Sequence, residues 1–222
     1  MQLLNALLAA NPSSPRLTIY DETEGSRLDF SATTLDNWAA KVANMLREEL
    51  DLEAGDNITL ALPVNWQAVV IILGALAAEV EVEIIAPHPD AIAARDPLVV
   101  FVPPELQSVD TEAIVVAVTS DPFGRGVVEC GGELLPGVVD FSPTTRAYGD
   151  VFYEDGPALT DTVAVSGAAQ RVLGRGWDDW TSFEAQLLAP LATGGSVVTV
   201  VGEVDEQRLE EIVAAENVEL VL

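Results

Sequence analysis

The sequence predicts an α/β fold, a mostly parallel sheet flanked by helices. Short apolar runs recur along the chain as "RLTIYD", "NITLAL", "VEVEII", "PLVVFV", "AIVVAV", "SVVTVV" and "VELVL", and several are followed by stretches with helical periodicity. Strand followed by helix, repeated, favours parallel pairing because a crossover of helical length is what returns the chain to start the next strand in the same direction. Apolar residues make up 49% of the 222. That is enough for a chain of this size to bury a core, and it excludes a disordered polypeptide.

The elements follow in order. Leu3, Leu4, Leu7 and Leu8 lie on one helical stripe that ends at Asn11-Pro12, with no basic segment before it, which predicts a docked helix rather than a signal peptide. A helix is expected over 33–50, where Leu35, Trp38, Val42, Met45 and Leu46 share a face, and another over 65–78, just after Pro63. The apolar run in the second, Ala68 to Ala78, falls short of the roughly 20 residues that span a bilayer, so no membrane segment is expected. Further helices are predicted over 160–171, 181–191 and 205–216. Residues 120–157 are rich in Gly, Pro, Asp and Ser and read as a looped crossover between an N-terminal lobe, 1–119, and a C-terminal α/β segment, 158–222, the whole being a single domain.

Charge narrows the partners. Thirty-six acidic residues against ten basic ones give a net charge of −26, which repels phosphate backbones and anionic lipid surfaces; neither nucleic acid nor membrane is an expected partner. Cys130 is the single cysteine, so no internal disulfide can form, and the cytoplasm is the expected compartment. With one cysteine and one histidine, His88, no zinc cluster is expected and no metal is assigned.

Few residue groups could carry chemistry. Gly124 and Gly126 in "TSDPFGRGVVE" and the "TGGS" at 193–196 lack the spacing and following helix of a phosphate-binding turn, and read as loop and helix-end glycines. His88 reads as a loop residue, because no strained Gly-x-Ser-x-Gly turn supplies it with a nucleophile. Nothing near Cys130 in sequence would lower its pKa. Glu79, Glu81 and Glu83 alternate with Val80, Val82 and Ile84, which predicts a strand with one wet face at a sheet edge, where charge discourages unwanted pairing.

Several stretches together resemble one family. "NPSSPRLTIYDETEGSRLDFSATTLDNWAAKVANML", "LEAGDNITLALP", the helix of Trp66, "APLATGGSVVTV" and "DEQRLEEIVAAENVELVL" occur in the order found at the start of the adenylate-forming superfamily, the acyl-CoA synthetases and relatives that carry an AMP-binding domain. The chain is identified as a truncated, degenerate relative of that N-terminal region. The resemblance implies the fold of the N-terminal domain without the C-terminal one.

It also implies what an adenylating enzyme would need: a Ser/Thr/Gly-rich loop ending in Lys that holds ATP phosphates through backbone N–H groups and a cation. "YEDGPALTDTVAVSGAAQ" stands in that place and has no base. The family's nucleotide motif, ribose-binding Asp and catalytic Lys fall beyond residue 222. Lys41, the only lysine, lies in the early amphipathic helix; Arg171 and Arg175 follow no glycine-rich turn. No catalytic residue, no cofactor and no self-contained ATP-dependent ligation are therefore expected.

The family segment near the acyl pocket is replaced by "GRGWDDWTSFE". Trp177, Asp178, Asp179, Trp180 and Phe183 are the candidate surface for a small ligand or a protein partner, set against helix capping by the acids with the aromatics in the core. The expected role is a binding or interaction module whose partner is a protein, a second copy in a homodimer, or a small acyl or adenylyl ligand. The alternative is a half-ligase completed in trans.

Overall fold

The computed structural model describes residues 1–222. In chain order the elements are α1 (Asn5–Ala10), β1 (Pro15–Asp21), β2 (Ser26–Ser31), α2 (Ala32–Glu48), β3 (Asn57–Leu60), α3 (Trp66–Ala77), β4 (Glu81–Ile84), α4 (Pro89–Ala93), β5 (Val99–Val102), β6 (Ile114–Ala117), β7 (Val139–Asp140), α5 (Phe141–Arg146), α6 (Leu159–Thr162), β8 (Arg171–Gly174), α7 (Trp180–Phe183), α8 (Ala189–Ala192), β9 (Ser196–Val201), α9 (Glu206–Ala215) and β10 (Leu220–Val221). A π-helical turn, Glu184–Leu188, joins α7 to α8. The strands divide between two five-stranded sheets, and the chain between two compact units, one of residues 37–156 with Met1, the other of residues 2–36 and 157–222.

The first unit holds a wholly parallel sheet in the order β4-β3-β5-β6-β7. Renumbered from its first strand this is the doubly wound order 2-1-3-4-5. Both faces are covered, so β5 reads "VVFV" and is buried throughout. On one face Ala61, Ile85, Ile92, Val100 and Val102 form a cluster. Helix α3 is apolar all round and almost wholly buried. Asn65 starts it, its side chain accepting from the Ala68 N–H at 2.8 Å. As the alternating glutamates predict, β4 is an edge strand. Glu79 is not part of it: with φ +52 it sits in the left-handed turn that ends α3, leaving Glu81 and Glu83 on the strand.

The second unit is built on a mixed sheet, β10-β8-β9-β1-β2, parallel except for the antiparallel β1–β2 hairpin at its edge. Tyr20, Leu173, Val198, Val200 and Ile212 pack on one face beneath α9. Leu3, Leu4 and Leu7 are buried around α1, as their stripe predicts.

One predicted helix is corrected. The segment 160–171 is helical only to Thr162; after the buried Val163 it runs exposed from Ala164 to Gln170, turning at Gly167 with φ +89, and Arg171 begins β8. Glycine and β-branched Val163 and Val165 are poor helix formers, and Val172 is claimed by parallel neighbours on both sides, Val197 and Leu220. The crossover 120–157, expected to be looped, carries the two-residue β7 and the six-residue α5.

Candidate functional site

Residues 157–183 occupy the second unit and include the aromatic segment and, from Pro157 on, most of the segment that the resemblance puts in the phosphate-loop position. Helix α6 is tied to its own start by the Asp161 carboxylate, which accepts the Ala158 N–H at 3.1 Å. The exposed stretch after it borders a groove of about 150 Å³. Ser166, Gly167, Gln170, Ala189, Thr193 and Leu222 are among its lining residues, and none of the lining side chains is ionisable. A triphosphate placed there would meet no counter-charge from the walls.

The chain's ten basic side chains are all engaged elsewhere. Arg171, which follows the loop directly, donates to the Glu216 carboxylate, the Glu216 carbonyl (2.8 Å), Ser196 Oγ (3.1 Å) and Thr18 Oγ1 (2.9 Å). Arg175 donates to the Gly202 carbonyl at 3.2 Å. Arg16 donates to the carbonyls of Gly194 and Gly195 at 2.7 and 3.2 Å, so the "TGGS" turn is read by a cation instead of reading an anion. Arg208 grips Glu22 with two bonds, 2.9 and 3.0 Å, which hold the Glu22 carboxyl below its usual range, and Arg27 joins Glu216 and Asp29.

In the first unit, Lys41 Nζ donates to the Tyr148 carbonyl at 2.6 Å. Arg47 pairs with Glu154, Arg95 with Glu83, Arg125 with Asp121 and Arg146 with Glu129.

The glycine loop after β6 is similarly self-satisfied. Asp121 Oδ1 accepts the N–H groups of Phe123 (2.9 Å) and Arg125 (3.0 Å), Glu129 accepts that of Gly126 (2.7 Å), and Asp140 those of Val127 (3.1 Å) and Val128 (3.4 Å). The N–H groups that would cradle a phosphate already face carboxylates. Hydrogen bonding from Arg125 holds Asp121 below the ordinary carboxylate range, and the Gly126 N–H, with Arg146, does the same for Glu129. Cys130, close by, has its thiol pushed up by partial burial and by Asp121, which opposes a reactive thiolate. His88 caps α4, its Nδ1 accepting the Asp90 N–H at 3.3 Å.

The aromatic segment divides between surface and interior. Phe183 is fully buried and Trp177 is 8% exposed, packed edge to face with ring centroids 4.9 Å apart. Trp180 is half-buried against Phe183. Asp179 is the N-cap of α7 and accepts the Ser182 N–H at 2.7 Å, while the Ser182 hydroxyl lies within bonding distance of both Asp178 and Asp179. That backbone bond holds the Asp179 carboxyl low. Of the five candidate residues, only Asp178, Asp179 and part of Trp180 face solvent.

Two features escaped sequence reasoning. One is the π-helical turn Glu184–Leu188, whose Gln186 lays its carboxamide over Gly174. The other is the commitment of the arginines. Arg125 four residues after Asp121, and Arg208 three before Glu211, could have been found by spacing; the Glu216 cluster joins residues up to 196 positions apart.

These two sheets and their covering helices define a protein with the fold of the N-terminal part of acyl-CoA synthetases. An acyl-CoA synthetase from Brucella canis superposes with TM-score 0.74 at 17% identity over 97% of this chain and 48% of its own. The acetoacetyl-CoA synthetase from Streptomyces lividans gives TM-score 0.74 and 19% identity over 97% of this chain and 41% of its own. The chain thus spans less than half the length of either enzyme.

No protein-family model matches the chain. A Mycobacterium tuberculosis H37Rv protein described as a TIGR03089 family protein is 31% identical across 99% of this chain and 96% of its own length, and the chain belongs to that family.

Proposed function

We propose that this chain is a non-catalytic acyl-CoA-synthetase-like domain that works as a binding or protein-interaction module. The observation that carries the reading is the engagement of every basic side chain by a carboxylate or carbonyl of its own unit, with a neutral groove where the related fold would handle phosphate. Adenylation brings a carboxylate to the α-phosphorus of ATP as pyrophosphate leaves, and catalysis there rests on fixed positive charge and N–H donors aimed at the charge that builds up. Releasing Arg171 to serve would take from the buried Glu216 carboxylate one of its two guanidinium partners, leaving Arg27 and Tyr20. The exposed side chains of Phe123 (80%) and Tyr153 (90%) support a protein partner, since aromatic anchors are enriched at interfaces.

The test is a pyrophosphate-release assay on the purified chain with ATP, Mg²⁺ and a panel of carboxylic acids. No turnover above the protein-free rate is expected, and sustained release would end the proposal. Thermal-shift measurements with AMP, an acyl-adenylate analogue and CoA should show no stabilisation. Stabilisation without turnover would favour the half-ligase completed in trans.

A further inference from the structure

We propose that a cavity at the N-terminal ends of β3 and β4 binds a small alkylammonium ion. Parallel pairing sets Asn57 beside Glu81 and Thr59 beside Glu83, and two-residue alternation puts all four on one face of the sheet. The segment Arg95–Pro97, between α4 and β5, lies against that face. Its far end is fixed by the Leu98 N–H, which donates to Asn57 Oδ1 at 3.1 Å. Between them is a cavity of about 230 Å³ whose lining includes Asn57, Thr59, Glu81, Glu83, Arg95 and Asp96.

Three features define the ligand. Glu83 is paired with Arg95 at 2.7 Å, while Glu81 and Asp96 are exposed and have no basic partner, so the cavity carries three carboxylates against one guanidinium. Thr59 is only 2% exposed, lines the cavity, and its hydroxyl makes no hydrogen bond within the protein, so it is free to meet a ligand. Finally, no three carboxylate, thiol or imidazole side chains come together as a metal ion would require. An ammonium group brings three N–H donors, matching the free acceptors of Glu81, Asp96 and Thr59. The chain's net charge of −26 raises the local concentration of such cations. The cavity lies at the amino ends of the strands, away from the carboxyl ends where open α/β sheets usually bind ligands, and the proposal stands apart from the function proposed above.

Titration calorimetry at constant ionic strength, with 1,4-diaminobutane as probe and 1,4-butanediol as its neutral counterpart, tests it. Saturable binding of the diamine alone is expected. Glu81→Gln should weaken it about tenfold and Thr59→Val about fivefold, from the usual worth of a charged and a neutral hydrogen bond. Nα-acetyl-lysine methylamide, run alongside, distinguishes a lysine side chain from a free amine as the natural source by which probe binds more tightly. Absence of saturable heat from both amines, or affinity unchanged in Glu81→Gln, whose side chain is exposed and whose loss leaves the fold intact, would overturn the proposal.

Discussion

Glu216 shows how a single residue in this acidic chain is made stabilising. It is 8% exposed, and its carboxylate accepts from Tyr20 Oη at 2.7 Å, Arg27 Nε at 2.8 Å and Arg171. Arg27 and Arg208 also lie over the Tyr20 ring, 5.6 and 5.8 Å from its centroid. Burial alone would raise the Glu216 carboxyl, but the bonds from Tyr20, Arg171 and Arg27 outweigh it and hold the group below its ordinary value of 4.5. A carboxyl depressed in the folded state contributes stability above its unfolded value, and that contribution is lost as pH falls through the folded one. Glu216→Gln keeps the volume but removes the negative charge that two guanidinium groups share, so it should cost about 2–3 kcal/mol at pH 7. The gap between variant and native protein should narrow as pH drops below about 4.5. Denaturant melts at pH 7 and pH 4 would check it, and a constant gap would show that packing, not charge, is what Glu216 supplies.

Among the elements, the α2–α3 contact turns on Gly74. In an ordinary helix interior Gly→Ala gains about 1 kcal/mol. Here an added Cβ would lie 2.5 Å from Val42 Cβ and Cγ1 and 2.9 Å from the Ala39 carbonyl, and a helical valine has no second comfortable rotamer to yield. Overpacking of this kind costs about 1–3 kcal/mol, so Gly74→Ala should lower the melting temperature, and a rise instead would show that the two helices can part to admit a methyl group. Sequence periodicity read α2 and α3 closely, because each buries a long apolar face that nothing else in the chain imitates. It also found β4 as an edge from alternating glutamates alone. It failed at β8, "RVLG", where four residues carry no period of their own and become a strand only because β9 and β10 lie on either side. The aromatic segment is legible as two alternatives, capping by the acids with the aromatics in the core or an exposed surface, and it is the tertiary pocket around Trp177 and Phe183 that decides between them. For the candidate site, the absence of lysine could be counted in the sequence, whereas the occupation of Arg171 could not, since its partners Thr18, Ser196 and Glu216 come from three distant segments.

For the whole molecule, the balance of charge decides how stability responds to salt. Nine arginine–carboxylate pairs tie down seven of the basic groups. Most include an exposed partner, and exposed pairs contribute about 0–1 kcal/mol each, an amount that salt reduces. Against them stands the mutual repulsion of a surplus of 26 negative charges, which disfavours the compact state and acts over the Debye length, about 30 Å at 0.01 M salt and about 8 Å at 0.15 M. Repulsion among many like charges reaches further than a contact pair, so screening removes more of it than of the attraction. The melting temperature should therefore rise by several degrees as NaCl is raised from 10 mM to 500 mM, where most of the gain should come below about 150 mM because the screening length shrinks fastest there. Potassium chloride should act as sodium chloride does, since the effect belongs to ionic strength and not to a bound ion. A melting temperature that fell over the same range would mean that the arginine pairs, above all the buried Arg171–Glu216 contact, outweigh the surplus charge in holding the chain together.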